Sequence, residues 1–413
     1  MQKKLKILIS AYACSPYRGS EPGMGWNFVL GLSKYHEVHV ISEQLKWKPD
    51  IEKIFREKPE LKTYIKFYFI QKKRNKKLRK IWPPSYYWYY RQWQKEAFKL
   101  ALDLDKKENF DIIHQLNMVG YREPGYLWKM EKPIVWGPIG GLENSPWRFL
   151  PSLGLKGMVF YTGRNIINSW QRNFSKRSRK IAKQKDSRLI AATEGNSKLI
   201  KYLWNKDSFI ISEVGQETNA FSSPHNLRSS GDKLRIIWSG VHTSRKNLPL
   251  LLRALKRVNS PYTIDILGVG EMTPKWRKLS KKLGLEENCN WHGWLEKNRA
   301  IDIMQTGNVF CITSISDLTS TVTLEALSYG LPIVCLDHCG FSHVVTEQCG
   351  IKIPVNTPRK ATNGFAVALD DLYSDVNYHI RLGKGAIQRA ADFNWEKKIT
   401  QINSIYQSLL DNV

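Results

Sequence analysis

An acid, a hydroxyl-rich turn and a second acid lie close together between residues 314 and 332, which read Ser-Ile-Ser-Asp-Leu-Thr-Ser-Thr-Val-Thr-Leu-Glu-Ala-Leu-Ser-Tyr-Gly-Leu-Pro. Asp317 precedes Thr319, Ser320 and Thr321, and Glu325 stands eight positions after Asp317. The apolar run 308–313 reads as a strand. The segment from Thr321, closed by Gly330-Leu331-Pro332, reads as a helix. Unpaired backbone N–H groups and small hydroxyls at a helix start suit a phosphate. A carboxylate one turn into the helix can accept hydrogen bonds from the vicinal hydroxyls of a ribose. A carboxylate before the turn can hold another sugar. The set describes a nucleotide-sugar site, although alone it also fits a capped helix packed on a sheet.

Further segments in both halves could serve the same chemistry. Ser239-Gly240-Val241-His242-Thr243-Ser244-Arg245-Lys246-Asn247 follows an apolar strand run. Arg245 can fork onto two oxygens and Lys246 adds a point charge, so a diphosphate could rest there. By itself the pair could equally be a solvated charge pair. Leu267-Gly268-Val269-Gly270 and His292-Gly293-Trp294 are turns after the next two strands. In the first half, Gly19-Ser-Glu-Pro-Gly23-Met-Gly25-Trp26 follows the first strand and opens a helix. Such glycines let a backbone approach a ligand, or simply permit a tight turn. His114 ends the fourth strand run, and Trp136-Gly-Pro-Ile-Gly-Gly141 follows the fifth.

Together these segments resemble, in order and spacing, the family 4 retaining glycosyltransferases of the GT-B fold. Asp317 and Glu325 match that family's E-x7-E motif, and Gly240 to Asn247 matches its G-x4-R-K-G turn. The resemblance implies that Glu325 holds the donor ribose and that Arg245 and Lys246 neutralise the leaving diphosphate. It implies that Asp317 and His114 contact the donor sugar. Gly240, Gly268, Trp294, Thr319, Ser320 and Thr321 would complete the donor site, with Gly23 and Gly25 near the diphosphate. The catalytic set is then His114, Asp317, Arg245 and Lys246. A UDP- or GDP-linked sugar is the implied donor, with no metal or other cofactor required and retention at the anomeric carbon. The sequence departs from the pattern in four places. Asp317 stands for Glu, and Leu318-Thr319-Ser320 for Gly-Phe-Gly. Asn247 stands for the second Gly, and Val241 where many relatives carry Arg.

The elements that must position these residues alternate between strand and helix patterns twice over. In the first half, strands are expected at Lys6–Tyr12, Glu37–Glu43, Ile65–Gln71, Asp111–Asn117, Pro133–Ile139, Arg188–Thr193 and Phe209–Val214. In the second, they are expected at Leu234–Val241, Tyr262–Leu267, Asn288–His292, 308–313 and Ile333–Leu336. Short runs rich in Ile, Val and Phe are typical of buried parallel strands. The pattern predicts an α/β protein of two doubly wound Rossmann-like domains, and the resemblance makes them the GT-B pair facing across a cleft. The expected boundaries are 1–217 for an acceptor-binding domain, 218–390 for a nucleotide-sugar-binding domain and 391–413 for a helix returning to the first. The polar stretch Phe221–Gly231 reads as the linker.

Composition narrows the partners. With 413 residues, 42% of them hydrophobic, the chain can fill two cores. Lys and Arg number 64 against 37 Asp and Glu, an excess of 27. Residues 1–216 hold 41 basic and 19 acidic side chains, whereas 217–413 hold 23 and 18. The first half is therefore the cationic one. The run Lys72–Lys80 is followed by Trp82, Tyr86, Tyr87, Trp88, Tyr89, Tyr90 and Trp93. Cations beside amphipathic rings suit an anionic lipid interface, as does the basic stretch Arg164–Arg188. The expected partners are a nucleotide-sugar donor, a lipid-linked or anionic glycan acceptor and an anionic membrane surface. Nucleic acid is not expected, although a non-catalytic nucleic-acid or anionic-surface binder is the alternative that charge alone would allow. No long apolar run and no secretory-type N-terminus is seen. The expected location is therefore cytoplasmic, peripheral on the inner face of the cytoplasmic membrane, in surface polysaccharide or lipopolysaccharide assembly. The six cysteines show no disulfide framework. Cys335, His338, Cys339 and His343 have no familiar zinc spacing, and no metal site is read.

Overall fold

A computed structural model describes residues 4–216 and 231–410. Thirteen strands form two all-parallel sheets among these residues. The first sheet contains β1 (Lys6–Ala11), β2 (Glu37–Glu43), β3 (Ile65–Ile70), β4 (Ile112–Asn117), β5 (Ile134–Ile139), β6 (Ser187–Ala191) and β7 (Ser208–Ile210). Their order is β3-β2-β1-β4-β5-β6-β7. The second contains β8 (Leu234–Ser239), β9 (Tyr262–Leu267), β10 (Cys289–Gly293), β11 (Val309–Ile312), β12 (Ile333–Leu336) and β13 (Gly350–Ile353), in the order β10-β9-β8-β11-β12-β13. Inner strands such as β4, β5, β11 and β12 are buried along their whole length, as helices on both faces require.

Each sheet reverses its strand order once, between β1 and β4 and between β8 and β11. At such a switch point the loops leaving the two strands diverge to opposite faces and open a crevice at their carboxyl ends. The segments expected to do chemistry follow β8 and β11.

The chain divides into two compact units. The first is Met1–Leu142, Gln171–Val214 and Trp395–Val413; the second is Glu143–Trp170 and Gly215–Asn394. Residues 143–170 thus pack with the second unit. Phe149, Leu150, Leu153 and Tyr161 enter the same apolar core as Leu234, Ile236, Leu251 and Phe365. The helix Trp395–Leu410 packs on the helix Ser20–Ser33 of the first unit. Gly31 makes room there for Ile399; a Cβ at Gly31 would lie 2.4 Å from Ile399 Cγ1. Lys398 is buried in the same unit and donates to Ser212 O at 2.9 Å and to Val214 O.

The strands expected from the sequence all form within two residues of the expected limits, except that β7 ends at Ile210 rather than Val214. The exception in number is β13, four residues with only its ends buried, which the sequence pattern does not announce. The helix Gly154–Phe174 is likewise not announced, because its outward face is as apolar as its inward one. The expected linker segment 221–230, with the boundary at 217/218, lies outside the described residues.

Candidate active site

In the second unit, the chain leaving β8 runs through Gly240 to a 3-10 turn at Ser244–Lys246 and enters the helix Leu248–Leu255. The chain leaving β11 runs through Ser314, Ser316 and Asp317 to the helix Thr321–Ser328. Two hydrogen bonds lock these two loops together. Ile315 N donates to Arg245 O at 3.0 Å, and Thr313 Oγ1 donates to Lys246 O at 2.7 Å. Trp238, buried on β8, donates its indole N–H to Thr313 Oγ1 at 3.2 Å.

The lock brings Arg245, Lys246 and Asp317 together. Lys246 Nζ lies 2.6 Å and Arg245 Nη1 3.1 Å from Asp317 Oδ2. Arg245 Nη1 also donates to Ser316 O at 2.7 Å. One carboxylate thus holds two cations, and a positive charge is left over. A diphosphate can take that surplus and can also compete for the cations, which gives them a second partner at little cost in rearrangement.

Glu325 sits in the helix after that loop. Its side chain is 18% exposed, and Lys297 Nζ is 3.9 Å from its Oε1. Burial holds its carboxyl above the usual carboxylate range, and Lys297 offsets this only in part. An acceptor kept at a cost in the unliganded protein is suited to hydroxyl donors that arrive with a ligand. Ser320 is the residue before the helix and makes no side-chain capping bond, and Thr321 is its first residue. The first N–H groups of a helix have no intrahelical acceptor. Thr319 is buried, with its Oγ1 where a side chain at Gly340 would go; a Cβ there would lie 2.7 Å away.

The glycine turns form a third layer. Gly268 has φ +111, and a Cβ on it would lie 2.1 Å from Gly240 O. Gly240 N donates to Leu267 O at 3.1 Å, and Gly268 N to Gly293 O at 2.7 Å. The turns after β8, β9 and β10 therefore stack backbone on backbone. Trp294, next after this stack, is 71% exposed and offers a free ring face. His242, in the same turn, is fully buried and bonds Thr273 Oγ1 at 2.8 Å through Nδ1.

Three residues expected in the site, His114, Gly23 and Gly25, belong to the first unit. His114 is fully buried in the first unit, with Nδ1 2.7 Å from Tyr406 Oη and Nε2 2.9 Å from Gly137 O. Both ring nitrogens are used. Burial lowers the imidazole to about 4, with the Gly137 carbonyl opposing the shift, so the ring is neutral at pH 7. It joins β4 to the C-terminal helix. Gly23 and Gly25 face protein backbone rather than an open surface. A Cβ would lie 2.4 Å from Arg18 O at the first and 2.3 Å from Ala13 O at the second. They allow the helix Ser20–Ser33 to start close against the loop after β1.

Sequence reasoning missed a second constellation, in the first unit. Lys72, read as part of a basic run facing an anionic lipid surface, is 2% exposed, with its Nζ 3.3 Å from the centre of the Tyr86 ring. Tyr90 and Trp93, read as interfacial rings, are buried, and both pack edge-on against Tyr12. The spacing Tyr86, Tyr90, Trp93, Ala97, Ala101, Leu104 is a helical core stripe and could have signalled this. Among the described residues, the one group able to hold a metal is Glu37, His39 and Glu108. Lys66 already bridges that group, 2.7 Å from Glu37 and 3.7 Å from Glu108. Cys335, His338, Cys339 and His343 do not converge.

Residues 221–389 match the family model described as "Glycosyl transferases group 1". The chain is 25% identical over 208 residues, 48% of its length, to the lipopolysaccharide core biosynthesis glycosyltransferase LpsD of Rhizobium meliloti (strain 1021). It spans 56% of that relative's length, and 32% and 46% of two other curated relatives. Among solved structures, sucrose-phosphate synthase from Thermosynechococcus elongatus aligns over 99% of this chain and 100% of its own, with a TM-score of 0.67 and 13% identity. Anabaena Alr3699/HepE, solved in complex with UDP-glucose, aligns over 98% and 100%, with a TM-score of 0.61 and 15% identity. These likenesses establish the GT-B fold.

Proposed function

We propose, from the match of residues 221–389 to the group 1 glycosyl transferases, that the chain moves a sugar from a nucleotide diphosphate to a glycan acceptor. The observation that carries this reading is the pairing of Arg245 and Lys246 on Asp317 at the β8/β11 switch point, with Glu325 in the following helix. In the proposed reaction Arg245 and Lys246 take the diphosphate as its negative charge grows. Asp317, released from them in part, turns to the donor sugar. Glu325 accepts from the ribose hydroxyls, and the N-terminus of the helix Thr321–Ser328 faces phosphate oxygens. Trp294 offers a surface for the base. The donor is UDP- or GDP-linked, and no metal is required, because the two side-chain cations supply the charge. No side chain stands out as a covalent nucleophile. The reaction proceeds with retention by front-face attack, the leaving diphosphate helping to take the acceptor's proton. The protein's contribution is position and charge.

The acceptor is a lipid-linked or anionic glycan of surface polysaccharide or lipopolysaccharide assembly, reached at the inner face of the cytoplasmic membrane. LpsD, by its name, serves lipopolysaccharide core biosynthesis. Further support comes from the helix Gly154–Phe174, which exposes Leu155, Val159, Phe160, Ile166, Ile167, Trp170 and Phe174. No Asp or Glu occurs from 144 to 185, whereas Arg148, Lys156, Arg164, Arg172 and Lys176 do. An apolar face with Trp and Phe amid unopposed cations suits an anionic bilayer surface. No helix among the described residues is long and apolar enough to cross a membrane.

Sugar transfer to an extracted lipid-linked glycan tests the assignment. Arg245→Ala and Lys246→Ala should each lower turnover by about 10²-fold, on the order of 3 kcal/mol of transition-state charge stabilisation, with the fold intact. Turnover near the parent's in both variants would remove the diphosphate from this turn.

A further inference from the structure

The first unit contains a cavity of about 450 Å³ whose lining includes the cations Lys46, Lys72, Lys73, Arg74, Lys76 and Arg79. Ligand cavities are typically of about this size. It sits beyond the carboxyl ends of β1, β2, β3 and β4, since Tyr12, Lys46, Lys72 and Met118 follow those strands. Like charges do not gather around a cavity without a cause, and the cause is not an internal acid. Glu43, buried at the end of β2, is already committed. It accepts from Leu45 N at 3.3 Å, Lys46 N at 3.0 Å and Lys72 N at 3.4 Å, and pairs with Arg74 Nη2 at 2.9 Å. It shapes the loop and neutralises Arg74. Among the described residues, Lys46, Lys72, Lys73, Lys76 and Arg79 have no carboxylate within ion-pair distance.

Lys72 is the most telling of these. It is buried among the rings of Tyr12, Tyr86 and Tyr90, and its Nζ makes no hydrogen bond among the described residues. Burial, and then the charge of Arg74, pushes its ammonium down to about 7, with Glu43 opposing. A buried lysine with no acceptor is costly unless something arrives to pair with it. Glu21, the acid in the lining, has Oε1 engaged by Val119 N at 2.6 Å. Burial holds its carboxyl above the usual range. It therefore opposes an incoming anion less than a free carboxylate would, and it can bond a sugar hydroxyl.

We propose that this cavity is a phosphate-binding site for the acceptor, in which Lys72 in its tyrosine cage, flanked by Arg79, Lys76 and Lys46, holds a phosphoryl group carried by the glycan. The word acceptor rests on the transferase reading; the phosphate site itself does not. Five uncompensated cations match a multiply charged phosphate better than a neutral sugar, and the tyrosine rings give the adjoining sugar a flat wall.

Phosphate binding to the full chain decides the matter, with inorganic phosphate as the probe at constant ionic strength, followed by calorimetry. The variants are Lys72→Met, which keeps the bulk of the side chain in its cage, and Arg79→Gln on the exposed rim. Lys246→Ala serves as the control in the second unit. Lys72→Met and Arg79→Gln should each weaken phosphate at least tenfold and leave UDP binding unchanged. Lys246→Ala should do the reverse. Arg79→Gln also guards against misfolding of the buried variant, since Arg79 is exposed. Phosphate affinity unchanged in both Lys72→Met and Arg79→Gln, or lost only in Lys246→Ala, overturns the proposal. If UDP binds and phosphate does not, the pocket assignment alone fails. If phosphate binds here and no nucleotide binds anywhere, the transferase reading fails and the anion site stands. Sedimentation with phosphatidylcholine vesicles carrying a polyprenyl phosphate separates the two sources. Loss of sedimentation in Lys72→Met assigns the phosphate to a lipid-linked acceptor. Unchanged sedimentation with lost inorganic phosphate binding assigns it to a soluble phosphosugar.

Discussion

Asp317 and Glu325 are both carboxylates, and the different tasks proposed for them match different surroundings. Asp317 is held between two cations, so its charge is stabilised before any ligand arrives. Glu325 is kept buried with one distant, exposed lysine, so its charge is a burden until hydroxyls reach it. A group whose folded pKa is raised destabilises the protein as pH climbs from its unfolded value through its folded one. Glu325→Gln should therefore raise the melting temperature of the ligand-free protein at pH 7. It should also weaken the donor by about 1–3 kcal/mol of lost charge-assisted hydrogen bonding. Thermal denaturation with and without nucleotide checks both signs, and a lower melting temperature of the free variant would show that the charge is not a burden. His114 gives the opposite case. His114→Ala leaves the buried Tyr406 hydroxyl without its partner and should cost about 1–3 kcal/mol of stability while sparing turnover per folded molecule. Urea denaturation beside an activity assay separates these effects. The sequence shows Arg245, Lys246, Asp317 and Glu325 because each lies in a short turn next to a strand. It does not show the fate of His114, whose partner Tyr406 is 292 residues away. Nor does it show that Lys72, in the middle of a basic run, turns inward to a cage made by the next helix.

The elements were more legible than their packing. The alternation of strands and helices gives the doubly wound class, and the switch points follow from the strand order that the structure adds. What local pattern cannot give is which unit a loop joins. Residues 143–170 precede much of the first sheet's last part yet fill the second unit's core, because Phe149, Leu150 and Leu153 find their apolar neighbours there. The glycine stack after β8, β9 and β10 belongs to this scale. Gly268→Ala would need φ +111 for an L-residue and a Cβ 2.1 Å from Gly240 O. It should destabilise the second unit by more than about 2 kcal/mol and displace the turn that holds Arg245 and Lys246. A denaturation midpoint equal to the parent's would mean that the stack yields easily.

At the scale of the whole molecule, the proposed attachment to an anionic membrane rests on charge and exposed apolar surface. The excess of 27 cations is concentrated in residues 1–216, and the exposed rings of the helix Gly154–Phe174 lie within an acid-free stretch. Attraction to an anionic bilayer should be about 1 kcal/mol per cation near the surface and should weaken with salt. Vesicles containing phosphatidylglycerol should sediment the protein, and Phe160→Glu with Trp170→Glu should abolish this; equal binding to neutral vesicles would refute the electrostatic part. The central claim, that the second unit holds a nucleotide-sugar donor by side-chain cations, is tested most directly by calorimetric titration with UDP, GDP and their sugar conjugates in EDTA. One nucleotide series should bind the parent chain in EDTA, with affinity reduced at least tenfold in Lys246→Ala and in Glu325→Gln. Absence of binding by every nucleotide, or binding that appears only with a divalent cation and is indifferent to Lys246 and Glu325, would contradict it.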